Sequence, residues 1–391
     1  MSSAPYAVLV VDDSALMRNL IGKIIDADPD TTVAGKAMNG RFALAKIESL
    51  RPEVIVLDLE MPEMNGIEFL TERKQRGIDI PVVVLSSIAR RGAQVTMDAL
   101  ALGASDFILK PSGSVSTDIH TVADQLLALV KSLGAEYRRR HPEAVARPPA
   151  ADRPRDAATA RTEAIGTGGV GAGSSPGRAR EQTPDSPVPA RRPPITPGPI
   201  ELVAIGVSTG GPNALRKVFA QLPGDLGCAV VVVQHMPAGF TTEFARSLDR
   251  ICPLAVVEAK NNDPIEPNRV LIAPGDHHIV VRGGPRPHAL LSSDPQRNGH
   301  RPSADVLFES VAAEYGNRAL GVIMTGMGRD GAMELGSILQ RGGLTIGQDE
   351  ATSVVYGMPR VAHLLGNVEL QVPLSEIADT ITRLVQENRG A

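Results

Sequence analysis

Five polar residues in the N-terminal part of the chain follow short apolar runs, and together they could carry out phosphoryl chemistry. The first run ends in Asp12 and Asp13, and three later runs end in Asp58, Ser86 and Lys110. Three carboxylates at one edge of a sheet repel one another unless a divalent cation binds them, and Mg²⁺ prefers carboxylate oxygens. A hydroxyl and an ammonium group nearby would bind phosphate oxygens. These residues therefore predict a Mg²⁺ site at which a phosphoryl group is transferred to a carboxylate.

A serine nucleophile is predicted in the second half of the chain. An apolar run at 202–207 leads into Ser208-Thr209-Gly210-Gly211-Pro212, and residues 206–210 fit the pattern G-x-S-x-G, which places a serine on a tight turn between a strand and a helix. Glycines let a substrate approach the hydroxyl, and a helix N-terminus favours developing negative charge. The motif alone is weak. A plain glycine turn explains it equally well, and the rival is a near-miss dinucleotide-binding loop with Ser208 in place of its middle glycine.

A base and a carboxylate for this serine follow later apolar runs. The run at 230–234 ends in His235, which would lie beside Ser208 if the two strands are neighbours. The run at 319–324 leads into a glycine-rich turn that carries Asp330. The order Ser, His, Asp differs from the Ser, Asp, His order of α/β-hydrolases, which predicts an independent triad on a different sheet. Isolated polar residues are usually structural, and the competing candidates are His277, His278, His288, His300, His363, Asp276 and Asp349.

Alternating strands and helices must position both sets of residues. The apolar runs are short and continuous, as expected of strands buried on both faces, and helical spacing lies between them, which indicates parallel sheets with right-handed crossovers. In such sheets functional residues gather at the carboxyl ends of the strands. We therefore predict two doubly wound α/β domains, residues 1–134 and 200–388. The predicted strands are 7–11, 54–57, 82–85 and 107–109 in the first domain, and 202–207, 230–234, 270–273 and 319–324 in the second.

Residues 135–199 are predicted to form a disordered linker. From 138 to 199 the chain has eleven arginines, six acidic residues and no aromatic residue, with clusters of Gly and Pro. Such a segment cannot bury enough apolar surface to offset the entropy that is lost on ordering. The arginines could bind an acidic partner, but a solvated basic linker is the simpler interpretation.

Composition argues against several classes of function. A net charge of −4 and an aromatic content of 3% without tryptophan argue against a dedicated nucleic-acid binder, which needs basic patches and stacking side chains. Two cysteines cannot form a disulfide framework, which favours a reducing compartment. The sequence has no signal-peptide pattern at its start and no apolar run near the ~20 residues that span a bilayer, so we expect a cytoplasmic protein without membrane insertion.

The first domain resembles a two-component receiver domain over about residues 5–133. The matching pieces are Val10-Val11-Asp12-Asp13-Ser14, Leu57-Asp58-Leu59-Glu60-Met61-Pro62, Asn65-Gly66, Ser86 and Lys110-Pro111. The resemblance implies a flavodoxin-like sheet, phosphorylation of Asp58 by a histidine kinase, and a cis Lys110–Pro111 bond. It also implies roles for the other residues. Asp13 and Asp58 would ligate Mg²⁺ directly, Asp12 would do so through water, and Glu60 would do so through its backbone carbonyl. Ser86 and Lys110 would bind the phosphoryl group, and Phe107 would be the aromatic switch residue.

The second domain resembles the catalytic domain of the CheB family of chemotaxis protein-glutamate methylesterases over about residues 200–387. The matching blocks are residues 205–212, 234–237, 240–241, 272–278, 301–308, 324–331, 348–350 and 356–359. A receiver, a linker and this domain make up the whole family architecture, although the linker here is longer and richer in Arg and Pro than is usual. The resemblance implies hydrolysis of glutamate γ-methyl esters and deamidation of glutamines on the cytoplasmic domains of chemoreceptors, with a chemotaxis histidine kinase as phosphodonor.

Each member of the predicted triad then has a role. Ser208 would attack the acyl carbon, His235 would take its proton, and Asp330 would hold the imidazole, with no metal or other cofactor at this site. The backbone amides of Thr209 and Met327 are candidates for binding the oxyanion. We also expect the unphosphorylated receiver to cover this cleft.

Two other functions stay open on the sequence. One is a phosphorylation-controlled binding module in which residues 206–211 form a degenerate nucleotide loop. The other is the same esterase acting in a non-flagellar receptor array.

Overall fold

The chain folds into two parallel β-sheets with helical crossovers in a computed structural model, which describes residues 4–87, 90–110, 117–142 and 193–389. The predicted α/β fold of both domains is confirmed. In these ranges no helix combines the length and the apolar character that crossing a membrane requires.

The described part of the first domain contains five strands and five helices. In chain order they are β1 (Tyr6–Val11), α1 (Ala15–Ala27), β2 (Thr31–Ala37), α2 (Gly40–Leu50), β3 (Val54–Asp58), α3 (Gly66–Gln75), β4 (Val82–Ser86), α4 (Arg90–Ala101), β5 (Asp106–Leu109) and α5 (Thr117–Arg140). The sheet order is β2-β1-β3-β4-β5, and all neighbouring strands are parallel. The carboxyl ends of β1, β3, β4 and β5 therefore lie at one edge of the sheet.

The edge strand β2 is the one strand of this sheet that the sequence did not locate. Its residues between Thr31 and Ala37 are only partly buried. An edge strand with an exposed face needs no continuous apolar run, so it lacks the pattern by which the other four strands were predicted.

Helix α5 continues through 140 and so includes the first six residues of the predicted linker. Arg138 anchors this end of the helix. Its guanidinium lies 4.1 Å from the centre of the Tyr6 ring, and its Nη2 donates to Glu53 Oε2 at 2.8 Å. We predicted from composition that Arg138 belongs to the linker. Composition cannot distinguish an arginine that contacts a folded domain from one that is solvated.

The second domain contains ten strands and six helices. In chain order they are β6 (Leu202–Val207), α6 (Gly211–Phe219), β7 (Ala229–Gln234), α7 (Phe240–Asp249), β8 (Ala255–Glu258), β9 (Asp263–Pro264), β10 (Arg269–Ile272), β11 (His278–Arg282), β12 (His288–Ser292), α8 (Ala304–Tyr315), β13 (Ala319–Ile323), α9 (Ala332–Gln340), β14 (Leu344–Gln348), α10 (Met358–Leu364), β15 (Leu370–Val372) and α11 (Ile377–Glu387). All four strands predicted here are confirmed to within a residue.

The central strand of the second domain is β6. The main sheet has the order β15-β14-β13-β6-β7-β10-β8, so β6 lies between β13 and β7, and its neighbours are parallel to it. The chain leaves β6 toward β7 on one side and returns to β13 on the other. That is a topological switch point, where open α/β sheets form their binding crevice. A small antiparallel sheet, β11-β12-β9, was not predicted because its strands are short and partly exposed.

The end of the predicted linker packs on the second domain. Gly198 donates its amide to Asn317 O at 3.0 Å, and Asn317 Nδ2 donates to Thr196 O at 2.9 Å. Residues 143–192 lie outside the described ranges, and so does Pro111, whose preceding bond was expected to be cis.

The two domains pack directly against each other. Ala93 and Met97 of α4 belong to the same buried hydrophobic cluster as Phe244 of α7. The ring of Phe107, at the second position of β5, stacks on the ring of Phe240, with 5.3 Å between the ring centres and 5° between the planes. Strand β5 is therefore part of the interface between the domains.

Candidate active site

Ser208 is the first residue after β6, at the switch point of the sheet. Its amide donates to Thr325 O at 3.0 Å, and its carbonyl accepts from the Gly211 amide at 2.8 Å. Gly210 has a φ of +79°, a backbone conformation that would be strained in a residue with a side chain. The turn after β13 also comes close, since a β-carbon on Gly326 would lie 2.8 Å from that of Ser208. These close approaches explain the glycines that surround the serine.

His235 lies next to Ser208 because their strands are neighbours in register. Gln234 pairs with Val207 in the sheet, so the residue after each strand end falls at the same level. The Nε2 atom of His235 lies 2.8 Å from Asp330 Oδ2. The Nδ1 atom is buried and has no hydrogen-bond partner among the described residues.

A second histidine stacks on this imidazole. The ring centres of His235 and His300 are 3.8 Å apart, and the planes differ by 10°. Burial, together with the nearby charge of His235, lowers the pKa of His300 to about 4. His300 therefore stays neutral at physiological pH. No sequence pattern distinguished His300 from the other competing histidines.

Asp330 is fully enclosed by hydrogen-bond donors. Its Oδ1 accepts from the Ser303 hydroxyl at 2.6 Å, and its Oδ2 accepts from the Ala304 amide at 2.6 Å. Asp330 precedes α9 in the chain, but its carboxylate binds the N-terminus of α8, where the helix dipole favours negative charge. Burial alone would raise the pKa of Asp330, yet the bond to His235 and the donors around it hold the pKa well below its usual range. The carboxylate is thus ionised and able to orient the imidazole.

Ser208 and His235 line a cavity of about 450 Å³ between the domains, and Asp330 contacts this cavity's His235 from behind. In the described residues no hydrogen bond joins the Ser208 hydroxyl to His235; catalytic bonds of this kind often form only with substrate present. Since Asp330 occupies Nε2, Nδ1 is the nitrogen left to accept a proton. This is the reverse of the arrangement in which Nδ1 faces the carboxylate.

The predicted oxyanion donors lie in the two turns that border Ser208. Thr209 follows the serine directly, and Met327 is an exposed residue in the turn between β13 and α9. Within the described ranges neither backbone amide donates to another group. Both are therefore free to bind a developing oxyanion.

The predicted phosphoryl site forms at the carboxyl edge of the first sheet. Carboxylate oxygens of Asp12, Asp13 and Asp58 all lie within 4.8 Å of one another. Lys110 Nζ lies 2.7 Å from Asp58 Oδ2 and 3.1 Å from Asp12 Oδ2. Burial raises the pKa of Asp58, although Lys110 opposes the shift. Carboxylate oxygens are ligands that a hard divalent cation such as Mg²⁺ prefers, so these residues fit one.

The remaining receiver residues show how this site is built. Ser86 donates to or accepts from Thr96 Oγ1 of α4 at 2.6 Å, and the Glu60 amide donates to Asp58 Oδ1 at 3.2 Å. The hydroxyl of Ser86 is thus held against α4. Strand β5 carries Phe107, which lies at the domain interface. Lys110, which contacts the carboxylates, is the first residue after the strand.

Asp106, the residue before Phe107, joins the two domains next to the serine. Its Oδ2 accepts from the Gly210 amide at 2.6 Å, and its Oδ1 accepts from the Phe107 amide at 2.8 Å. The carboxylate is buried, which raises its pKa to about 6. Asn213 of α6 strengthens the contact by donating Nδ2 to Ala104 O and Ser105 O at 2.6 and 2.8 Å. Sequence reasoning missed Asp106, because only the docked arrangement brings it to α6.

Comparison with known proteins matches both halves of the chain. A model of the CheB methylesterase family matches residues 203–381, and a model of the response regulator receiver domain matches residues 8–120. A protein-glutamate methylesterase/protein-glutamine glutaminase of Treponema denticola is 54% identical, with 97% of this chain and 98% of that protein aligned. A protein of the same name from Treponema pallidum is 51% identical, with 96% of each aligned. A crystal structure of the Thermotoga maritima CheB methylesterase catalytic domain, 35% identical, covers 48% of this chain and 99% of that one with a TM-score of 0.47.

Proposed function

This chain belongs to the CheB family of protein-glutamate methylesterases/protein-glutamine glutaminases, and from that premise we infer that its second domain is a hydrolase of modified glutamate side chains. It removes methyl groups from glutamate γ-methyl esters and deamidates glutamines in proteins, under control of the receiver domain. The observation that carries this inference is the convergence of Ser208, His235 and Asp330 at the switch point of one sheet. A nucleotide-binding loop at residues 206–211 is not favoured by the relatives.

One mechanism serves both reactions. Ser208 Oγ attacks the side-chain carbonyl carbon while Nδ1 of His235 takes its proton, and Asp330 holds the Nε2–H side of the ring. The proton then passes to the leaving group, which departs as methanol from an ester or as ammonia from an amide. Water, activated by the same nitrogen, cleaves the acyl-enzyme, releases glutamate and restores the serine. The Thr209 and Met327 amides would bind the oxyanion in both steps.

The substrates that this family implies are methyl-accepting chemoreceptors, whose signalling domains lie in the cytoplasm. A chemotaxis histidine kinase would donate the phosphoryl group to Asp58. Mg²⁺ held by Asp12, Asp13 and Asp58, with the Glu60 carbonyl, would neutralise negative charge during that transfer. Lys110 and Ser86 would then bind the phosphoryl oxygens. A receptor array that serves signalling other than flagellar motility would use the same chemistry.

Control by docking is supported by the contacts between the domains. The receiver lies over the cleft, with Asp106 on the Gly210 amide and Phe107 against Phe240. A receptor helix cannot reach Ser208 while these contacts persist. Phosphorylation of Asp58 would draw Ser86 and Lys110 toward the phosphoryl group, and Phe107, on the same strand as Lys110, would lose its position against Phe240.

The test is methanol release from methylated receptor by the phosphorylated full-length protein. Ser208→Ala and His235→Ala should each lower the rate on the order of 10⁴–10⁶-fold, and Asp330→Ala somewhat less, because triad members act as a unit. Ser247→Ala, which removes a buried serine of α7 that accepts a bond from Arg216, is the matched control and should keep the rate. A near-native rate with Ser208→Ala would exclude the serine mechanism.

A further inference from the structure

A second buried carboxylate lies behind Asp330. Asp305, the second residue of α8, is only 4% exposed. Asn298 lies between the two acids: its Nδ2 donates to Asp305 Oδ2 at 2.5 Å and to Asp330 Oδ1 at 2.9 Å. The other oxygen of Asp305 accepts from the Glu334 amide in the first turn of α9 at 3.1 Å. A chain of hydrogen bonds therefore runs from α9 through Asp305 and Asn298 to the triad.

Asn298 lies in a tight turn that is closed by two backbone hydrogen bonds. Arg297 and His300 exchange backbone hydrogen bonds of 3.1 and 3.0 Å, which closes a two-residue turn. The two residues inside that turn, Asn298 and Gly299, have φ values of +53° and +81°. Asn-Gly is the pair that such left-handed turns prefer, so the backbone alone accounts for an asparagine here. Although Asn298 is an exposed residue, its side-chain amide points inward and bonds two buried acids.

The bonds on Asp330 divide between its two oxygens. Oδ1 accepts from the Ser303 hydroxyl, from Asn298 Nδ2 and, at 3.4 Å, from the Asp305 amide, while Oδ2 accepts from His235 Nε2 and the Ala304 amide. Fixing Oδ1 prevents the carboxylate from rotating away from the imidazole. Without Asn298 no side-chain donor would bridge the two carboxylates of Asp330 and Asp305.

The charged groups that face Asp305 and His235 in the described residues can be named. Asp305 faces Asp330 and, across the turn, Arg297, which is itself paired with Glu309 and with Glu334. Burial, with the charge of Asp330 added, raises the pKa of Asp305 to about 6. His235 faces Asp330 and the neutral ring of His300. At neutral pH Asp305 thus adds a second negative charge behind the triad.

We propose that Asn298 and Asp305 are positioning residues of this active site: Asn298 fixes Asp330 so that Oδ2 faces His235, and the charge of Asp305 favours the imidazolium that forms as Ser208 attacks. The proposal rests on the hydrolase function argued above. It extends the triad by two residues that never touch the substrate and act only through Asp330.

Asn298→Gly tests the positioning role, because glycine keeps the left-handed backbone and removes only the side chain. In the phosphorylated full-length protein we expect kcat for methanol release to fall on the order of 10- to 100-fold, with KM little changed. Asn268→Gly is the matched control, since Asn268 also has a positive φ, of 62°, and bonds a backbone amide, that of Gly227, away from the site. A native kcat for Asn298→Gly would overturn this role.

Asp305→Asn tests the charge, because it keeps the shape and an acceptor for Asn298. With less negative charge behind the triad the imidazolium is less favoured, so the acid limb of the kcat/KM profile should move to lower pH, on the order of 0.5–1 unit. The control is Asp249→Asn. Asp249, the last residue of α7, accepts a hydrogen bond from the backbone amide of Val256, and its replacement should leave the midpoint of the pH profile in place. A lowered rate with an unmoved midpoint would reduce Asp305 to a structural residue and overturn its tuning role.

Labelling of Ser208 by a small fluorophosphonate separates this proposal from the function on which it rests. The label needs an activated serine but no receptor. Wild type that labels yet releases no methanol would contradict the proposed substrate, while slower labelling of Asn298→Gly would still support positioning. Equal labelling rates in wild type and Asn298→Gly would overturn the positioning role whatever the substrate.

Discussion

At the scale of single residues, the chemistry depends on which imidazole nitrogen is free. Asp330 occupies Nε2 of His235 at 2.8 Å, so the proton from Ser208 has to go to Nδ1. The low pKa of Asp330 matters for the same reason. A protonated carboxyl group would carry no charge to stabilise the imidazolium, and the donors from Ser303 and Ala304 help to keep Asp330 ionised.

His300 gives a residue-scale prediction about pH. The unfolded chain protonates this histidine below about pH 6.5, but the folded chain does so only near pH 4. The stability that a neutral His300 retains is therefore full above pH 6.5 and is lost as the pH falls toward 4. His300→Phe keeps a ring against His235 and cannot titrate, so its free energy of unfolding should gain on that of wild type by about 2–3 kcal/mol between pH 7 and pH 4.

The measurement is urea unfolding of both proteins across that range. Only the difference between them is informative, because buried Asp106 and Asp305, with pKa values raised to about 6, change stability in the opposite direction. A difference that is independent of pH would show that His300 titrates normally in the folded protein.

At the scale of elements, strand β5 and helix α6 form the contact that matters for control. The N-terminus of a helix favours negative charge, and α6 begins three residues after the nucleophile. In the docked state the carboxylate of Asp106 already occupies the Gly210 amide at that end. The receiver thus places a negative charge beside a site that must itself develop one during attack on an acyl carbon.

Asp106→Ala should therefore raise the basal activity of the unphosphorylated full-length protein several-fold. The phosphorylated rate should not change, since we propose that phosphorylation itself breaks this contact. Methanol release before and after phosphorylation measures both. Asp26→Ala, which removes a receiver carboxylate that also accepts a backbone amide, that of Val33, but far from the interface, should change neither rate. If Asp106→Ala leaves the basal rate at the wild-type level, this contact is not inhibitory.

At the scale of the whole molecule, a segment of about 50 residues between 142 and 193 joins two domains that pack against each other. Because the domains share one chain, docking is intramolecular and a weak contact is enough to keep the cleft covered. Lengthening such a tether weakens docking slowly, by roughly 0.6 kcal/mol for each doubling. Regulation then depends on how far phosphorylation shifts the docked population.

Phosphorylation should couple the two sites. A small phosphodonor with Mg²⁺ should label Asp58 and raise methanol release, and both effects should disappear with Asp58→Asn or when a chelator removes the metal, because the three carboxylates need a cation to bind a dianion. Phosphoryl incorporation and methanol release measure the two effects separately. Glu63→Gln, in the exposed loop after β3, is the control and should be labelled like wild type. Labelling that persists in Asp58→Asn would move the acceptor to another carboxylate.

The sequence by itself located Ser208, His235, Asp330 and Asp58, because each follows a continuous apolar run, and parallel strands bring their carboxyl ends to one edge. The run at 202–207 even coincides with β6. Two other features carried too little pattern to be found: the half-exposed edge strand β2, and the last turns of α5, whose arginines look like those of a linker.

Only the tertiary structure decided the rest, because it depends on contacts between segments far apart in the chain. Asp330 binds the N-terminus of α8 rather than of its own helix α9, and Asn298 reaches it from a separate turn. Asp106 meets Gly210 across 104 residues. A sequence pattern reports local periodicity and strand ends, whereas these bonds exist only after two sheets have folded and packed, so no spacing in the chain encodes them.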